Sequence, residues 1–101
     1  MDTESIYDVA EIKRRLEPVF QANGVKSAVL FGSYAKGEAA AGCDIDIMVD
    51  SGLRGLDFVG LIEYAREALE KNVGLIDVHY VDRNSSIEKE VNSSGISIYG
   101  G

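Results

Sequence analysis

No apolar run in this chain approaches the roughly 20 consecutive residues that a membrane helix needs, and the opening MDTESIYDVAE lacks the basic and apolar regions of a secretion signal. A cytoplasmic protein without membrane contact is expected. Cysteine is almost missing as well. Cys43 stands alone, so no disulfide can close within the chain, in keeping with a reducing compartment. Basic residues are scarce, 10 against 17 acidic ones, for a formal net charge of −7. Nucleic-acid backbones are gripped mainly by clustered Lys and Arg, so this balance argues against direct binding of polymeric nucleic acid. Acidity could steer a basic protein partner, although solubility is the simpler account of it.

What is present is ordinary globular composition, 46% hydrophobic and 27% charged over 101 residues, which suits one domain, 1–101, with a modest core. Between Ser5 and Asn23 the apolar residues Ile6, Val9, Ile12, Leu16, Val19 and Phe20 recur at spacings of three and four, the mark of an amphipathic helix. Pro18, the single proline, predicts a kink or a restart there. Asn23-Gly24 predicts a left-handed stop, and 26–31 a first strand. Phe58, Ile62, Ala65 and Leu69 mark a second helix with Gly74 close behind its end. Residues 74–81, GLIDVHYV, read as a third strand with Asp77 and His79 on one face. Ser85 and Glu88 have the spacing of a capping box opening a last short helix, Gly95 ends it, and Ile96, Ile98 and Tyr99 form a terminal strand. This order predicts an α/β fold, a small mixed sheet with helices packed on one face.

The stretch LFGSYAKGEAAAGCDIDIMVD, from Leu30 to Asp50, carries the chemistry. If 44–49 is a strand, Asp44, Asp46 and Met48 share one side while Ile45, Ile47 and Val49 share the other. Two carboxylates on so apolar a strand cost stability unless something compensates them, and a cation is the natural compensator. Oxygen ligands suit magnesium, or manganese, completed by water and substrate phosphates. Just upstream, strand residues run into Gly32-Ser33 and a short helical turn, an arrangement that aims free N–H groups and the Ser33 hydroxyl at an anion. Asp77 repeats the anomaly of an acid in an apolar strand. Three strand carboxylates beside a phosphate-holding turn make metal-assisted nucleotidyl transfer the economical reading. About four negative charges on a triphosphate would repel the acids unless about two divalent cations intervene. That reading requires Asp77 to reach the same ions as Asp44 and Asp46.

Gly32-Ser33, ten intervening residues, then Asp44-Ile45-Asp46, with Asp77 in a later apolar stretch, resemble the minimal nucleotidyltransferases, in the superfamily of DNA polymerase beta and kanamycin nucleotidyltransferase. Similarity extends from the opening helix to the closing GISIYG. The resemblance implies a nucleotidyltransferase fold and an antitoxin that transfers AMP from ATP to a tyrosine of a HEPN-domain ribonuclease toxin, with which it forms a heteromeric complex. It further implies that Asp44 and Asp46 bind two Mg2+ ions, that Asp77 completes the catalytic one and helps deprotonate the acceptor, and that Gly32 and Ser33 hold the β and γ phosphates. Two positions depart from the family pattern. Cys43 stands where Ser is usual, and Lys36 stands where Arg is usual, keeping its charge for the nucleotide but not the bidentate fork. Two other readings stay open: an antitoxin that acts by binding alone over a vestigial site, and transfer to a small hydroxylated molecule. His79 is more simply a surface or core residue than a substrate contact, Tyr99 is a packing residue, and Tyr34 suits packing or the nucleotide pocket equally.

Overall fold

The computed structural model describes residues 7–38 and 44–100. Asp8 opens the first helix, α1 (Val9–Ala22), its side chain accepting the Glu11 N–H at 2.8 Å. Ile12, Leu16 and Phe20, four apart, are its buried residues. The helix continues through Pro18 as a single element, so the proline neither restarts it nor sits in its first turn. Pro18 lies on the exposed side. Gly24 then takes φ +71°, the left-handed stop expected at this point.

Strand β1 (Ser27–Phe31) leads into a four-residue helix α2 (Ser33–Lys36), and β2 (Ile45–Asp50) follows. The second long helix, α3 (Leu56–Leu69), buries Leu61, Ala65 and Leu69. It ends at Glu70, in the left-handed conformation. Gly74 follows close behind the helix end and lies, as expected, in the third strand, β3 (Val73–Asp77). A short 3-10 turn (Val78–Tyr80), α4 (Ser86–Ser94) and β4 (Ile96–Tyr99) complete the order. The capping residues of α4 behave as the sequence implies: the Ser85 hydroxyl accepts the Glu88 N–H at 3.2 Å.

The four strands are arranged β3-β2-β1-β4, with β1 antiparallel to both β2 and β4 and β2 parallel to β3. This order is what a sequence cannot supply. Ile45, Ile47 and Val49 of β2 join Leu30, Ala28 and Ile98 in one core with the apolar stripes of α1 and α3. Side-chain alternation therefore turns Asp46, Met48 and Asp50 to the opposite face. The short α4 contributes no fully buried residue and rests against β1, where a Cβ on Gly95 would stand 2.8 Å from Val29 Cγ1. Val29 pairs with Met48 and so lies on the acid-bearing face. Among the described residues no helix is long and apolar enough to cross a membrane.

Candidate active site

Asp46 occupies a slot made by two glycines. Register places it between Phe31 of β1 and Gly74 of β3, with Gly32 one residue beyond Phe31. A Cβ on Gly32 would stand 2.5 Å from Asp46 Oδ2, and one on Gly74 would stand 2.8 Å from Oδ1. Gly32 also takes φ +78°, a conformation L side chains rarely adopt. Both glycines thus leave room for a carboxylate that any side chain would displace.

Burial pushes the Asp46 carboxyl above its ordinary value, and the charges of Asp44 and Glu90 push it further. No hydrogen-bond donor is among the groups that shift it. Asp44 is exposed at the entrance to β2. A half-buried carboxylate crowded by like charges and lacking a donor among the described residues is the setting a divalent cation relieves, so Asp44 and Asp46 fit such an ion.

Beside them, β1 turns at Gly32 into α2. The N–H groups of Ser33 and Ala35 belong to the first helical turn and so lack intrahelical partners. Ser33 is half-buried at that turn. At its far end the Lys36 ammonium lies 3.6 Å from the Glu90 carboxylate of α4. Tyr34, in contrast, is buried in the main core, which favours packing over a place in the nucleotide pocket. Tyr99 packs edge-on against Phe20, ring centroids 5.4 Å apart.

Asp77 does not join this group, and the expectation that it shares ions with Asp44 and Asp46 is corrected here. Asp46 pairs with Gly74, and Asp77 lies three residues further on, beside Val49. Three is an odd step, so the side chain emerges on the opposite face, about 10 Å along the strand at roughly 3.3 Å per residue. There it is 2% exposed. Its Oδ2 accepts the Ser51 hydroxyl at 2.6 Å and the Ser51 N–H at 3.2 Å, while Oδ1 accepts the His79 N–H at 2.9 Å and meets His79 Nδ1 at 2.7 Å. Burial alone would raise this carboxyl, but the hydrogen bonds from Ser51 and His79 hold it at about 2.

The same bonds explain why β3 is shorter than the sequence suggests. Asp77 caps the 3-10 turn at Val78–Tyr80, a local side-chain-to-backbone bond that competes with the strand ladder. His79 therefore lies in a turn with its side chain 65% exposed, not on a strand face with Asp77. Among the described residues no three His, Cys, Asp or Glu side chains are placed to hold one metal ion. Cys43 lies outside the described residues.

Two participants escaped the sequence reading. Gly74 carried a usable signal, since an isolated glycine in an apolar strand often marks close approach by another group. Glu90 carried none, because only the placement of α4 over β1 brings it near Asp46.

Residues 14–101 match the family described as polymerase beta, nucleotidyltransferase. The chain belongs to that family. Two Methanocaldococcus jannaschii proteins, each named as a candidate protein adenylyltransferase, are similar to it. One is 41% identical over 71 residues, covering 68% of this chain and 76% of the relative. The other is 33% identical over 96 residues, covering 87% and 96%. Among solved structures, a candidate minimal nucleotidyltransferase superposes with TM-score 0.72 at 25% identity, covering 91% of this chain and 97% of that one. A toxin-antitoxin complex with AMP-PNP gives 0.74 at 24% identity, covering 88% of this chain and 73% of that one. A tri-AMPylated Shewanella oneidensis HEPN toxin with its MNT antitoxin gives 0.68 at 22%, covering 92% and 73%. This member of the polymerase beta nucleotidyltransferases is thus an enzyme of the nucleotidyl-transfer class, built on the mixed sheet that the resemblance implied.

Proposed function

We propose that this nucleotidyltransferase is an antitoxin that transfers AMP from ATP to a tyrosine hydroxyl of a cognate HEPN ribonuclease toxin, releasing pyrophosphate. The observation that carries the chemistry is the Asp46 carboxylate, held between Gly32 and Gly74 with Asp44 nearby and no donor among the described residues to offset its charge. Adenylyl transfer to protein is supported by the names of the two M. jannaschii relatives, and a HEPN partner by the complexes to which the fold is similar.

Asp44 and Asp46 would hold the divalent ions, magnesium in this reading. Bound there, such ions supply charge neutralisation and polarise the phosphoryl oxygens. The first-turn N–H groups and the Ser33 hydroxyl orient the phosphates, with Lys36 close behind them. Asp77, with both oxygens committed to Ser51 and His79, has no part in proton removal. The acceptor hydroxyl is therefore activated by Asp44 or Asp46, or by a group the partner brings.

A labelled-ATP assay with magnesium and the candidate toxin tests this. Wild type should label the toxin, and the Asp44→Asn/Asp46→Asn variant should not. The commitment of Asp77 elsewhere favours one second reading, an antitoxin that neutralises by binding alone. If wild type and variant both leave the toxin unlabelled and both still neutralise it, that second reading replaces the first.

A further inference from the structure

Lys36, at the end of α2, and Glu90 of α4 come from different elements and meet at 3.6 Å. Glu90 lies on α4, its side chain 31% exposed, and that helix is fixed over β1 by the approach of Gly95 to Val29.

We propose that Glu90 is a positioning residue of the nucleotide site: it holds the Lys36 ammonium beside the Gly32-Ser33 turn in the absence of a triphosphate and yields it to the phosphates on binding. This rests on the turn being the phosphate site, as proposed above. The exchange is easy because both partners are partly exposed, Lys36 43% and Glu90 31%, and such ion pairs are weak. A triphosphate presents several negative charges to the same ammonium, so it wins the competition. Glu90 thus lowers affinity for any anion at the turn. Sequence gives no hint of this, since Glu90 and Lys36 are 54 positions apart (90 − 36) and only the fold joins them.

The test is calorimetric titration of the full chain with AMP-PNP, first in EDTA and then with magnesium, using wild type, Glu90→Gln, Lys36→Met and the double variant. In EDTA, Glu90→Gln should tighten binding by about fivefold, the upper scale of an exposed ion pair. Lys36→Met should weaken it, and in that background Glu90→Gln should change it less than twofold. An equal gain in both backgrounds would mean that Glu90 acts as a diffuse charge without handling Lys36, and the proposal falls. Weaker binding by Glu90→Gln in magnesium alone would place Glu90 on the cation, which overturns it equally. If wild type and Glu90→Gln bind AMP-PNP identically, only the role of Glu90 is lost. If none of the four binds it, the phosphate-site reading falls and takes this one with it.

Discussion

Asp46 and Asp77 are both aspartates in apolar strands of the same sheet, on neighbouring parallel strands, yet they do opposite work. Asp46 faces away from the main core between two glycines, its carboxyl raised by burial and by the charges of Asp44 and Glu90. Asp77 faces the other way, 2% exposed, with its carboxyl held at about 2 against the cost of burial by hydrogen bonds from Ser51 and His79. One acid has no donor among the described residues to offset its burial, and the other is satisfied by the protein. The difference comes from register: a step of three from the residue opposite Asp46 changes the face.

Substitution by the isosteric amide separates the two most sharply. Asp46→Asn should lower nucleotidyl transfer by at least about 100-fold, the scale on which single charge-stabilising groups act in transfer reactions. It should leave stability unchanged or raised, since it removes a half-buried charge that no donor among the described residues compensates. Asp77→Asn should do the reverse. An amide offers one acceptor where the carboxylate offers two, so it turns an N–H group toward the donors of Ser51 or His79. A loss of about 2 kcal/mol in denaturant midpoint analysis is expected, with transfer still readily measured. Transfer abolished by Asp77→Asn in a folded protein would reject the placement of this residue outside the catalytic group.

The pair should also have opposite pH signatures. Asp77 binds its proton less tightly folded than its ordinary 3.8, so its contribution is complete above about pH 4 and is lost as pH falls toward 2. The difference between 3.8 and about 2 corresponds to about 2 kcal/mol. Asp46 is raised, so its contribution is present below 3.8 and lost as pH rises through its folded value. Urea melts from pH 2 to 6 check this. Asp77→Asn should flatten the acid loss of stability, and Asp46→Asn should steepen it.

Much of this was legible in the sequence. Alternation in 44–49 placed Asp46 correctly on the face away from Ile45, Ile47 and Val49, because one buried face fixes a strand's orientation. The helical stripe of Ile12, Leu16 and Phe20 was equally plain, as was the Ser85 cap. Failure began where a local bond competed with a periodic pattern. GLIDVHYV alternates like a strand, but the Asp77 side chain captures the His79 N–H and turns the chain. Strand pairing was also hidden, and with it the reason for Gly74. Residues 73–77 meet residues 45–49 only through the fold, so nothing local marks Gly74 as the neighbour of Asp46.

That glycine supplies a finer test. Gly74→Ala needs no unusual backbone angle, since Gly74 does not have positive φ, but its Cβ would meet Asp46 Oδ1. The carboxylate must shift, so transfer should fall by about tenfold, as expected when a positioned group is displaced by a fraction of an ångström. Stability should hardly change, because the methyl also restricts the unfolded chain. Full activity in Gly74→Ala would show that the slot does not position Asp46.

Ser51→Ala is the smallest perturbation and bears on the other acid. The Ser51 hydroxyl donates to Asp77 at 2.6 Å and accepts the Leu53 N–H at 3.1 Å, tying the end of β2 to the end of β3. Its removal leaves Asp77 three of its four partners, including the Ser51 N–H, so the carboxylate is weakened and not orphaned. About 1 kcal/mol should be lost at neutral pH, and the Asp77 carboxyl, relieved of the foremost contact opposing its burial, should titrate higher. Carbon-detected NMR titration of that carboxyl reads the shift directly. An unchanged value would mean that the His79 contacts alone hold the charge, and that the link between the two strand ends is incidental to it.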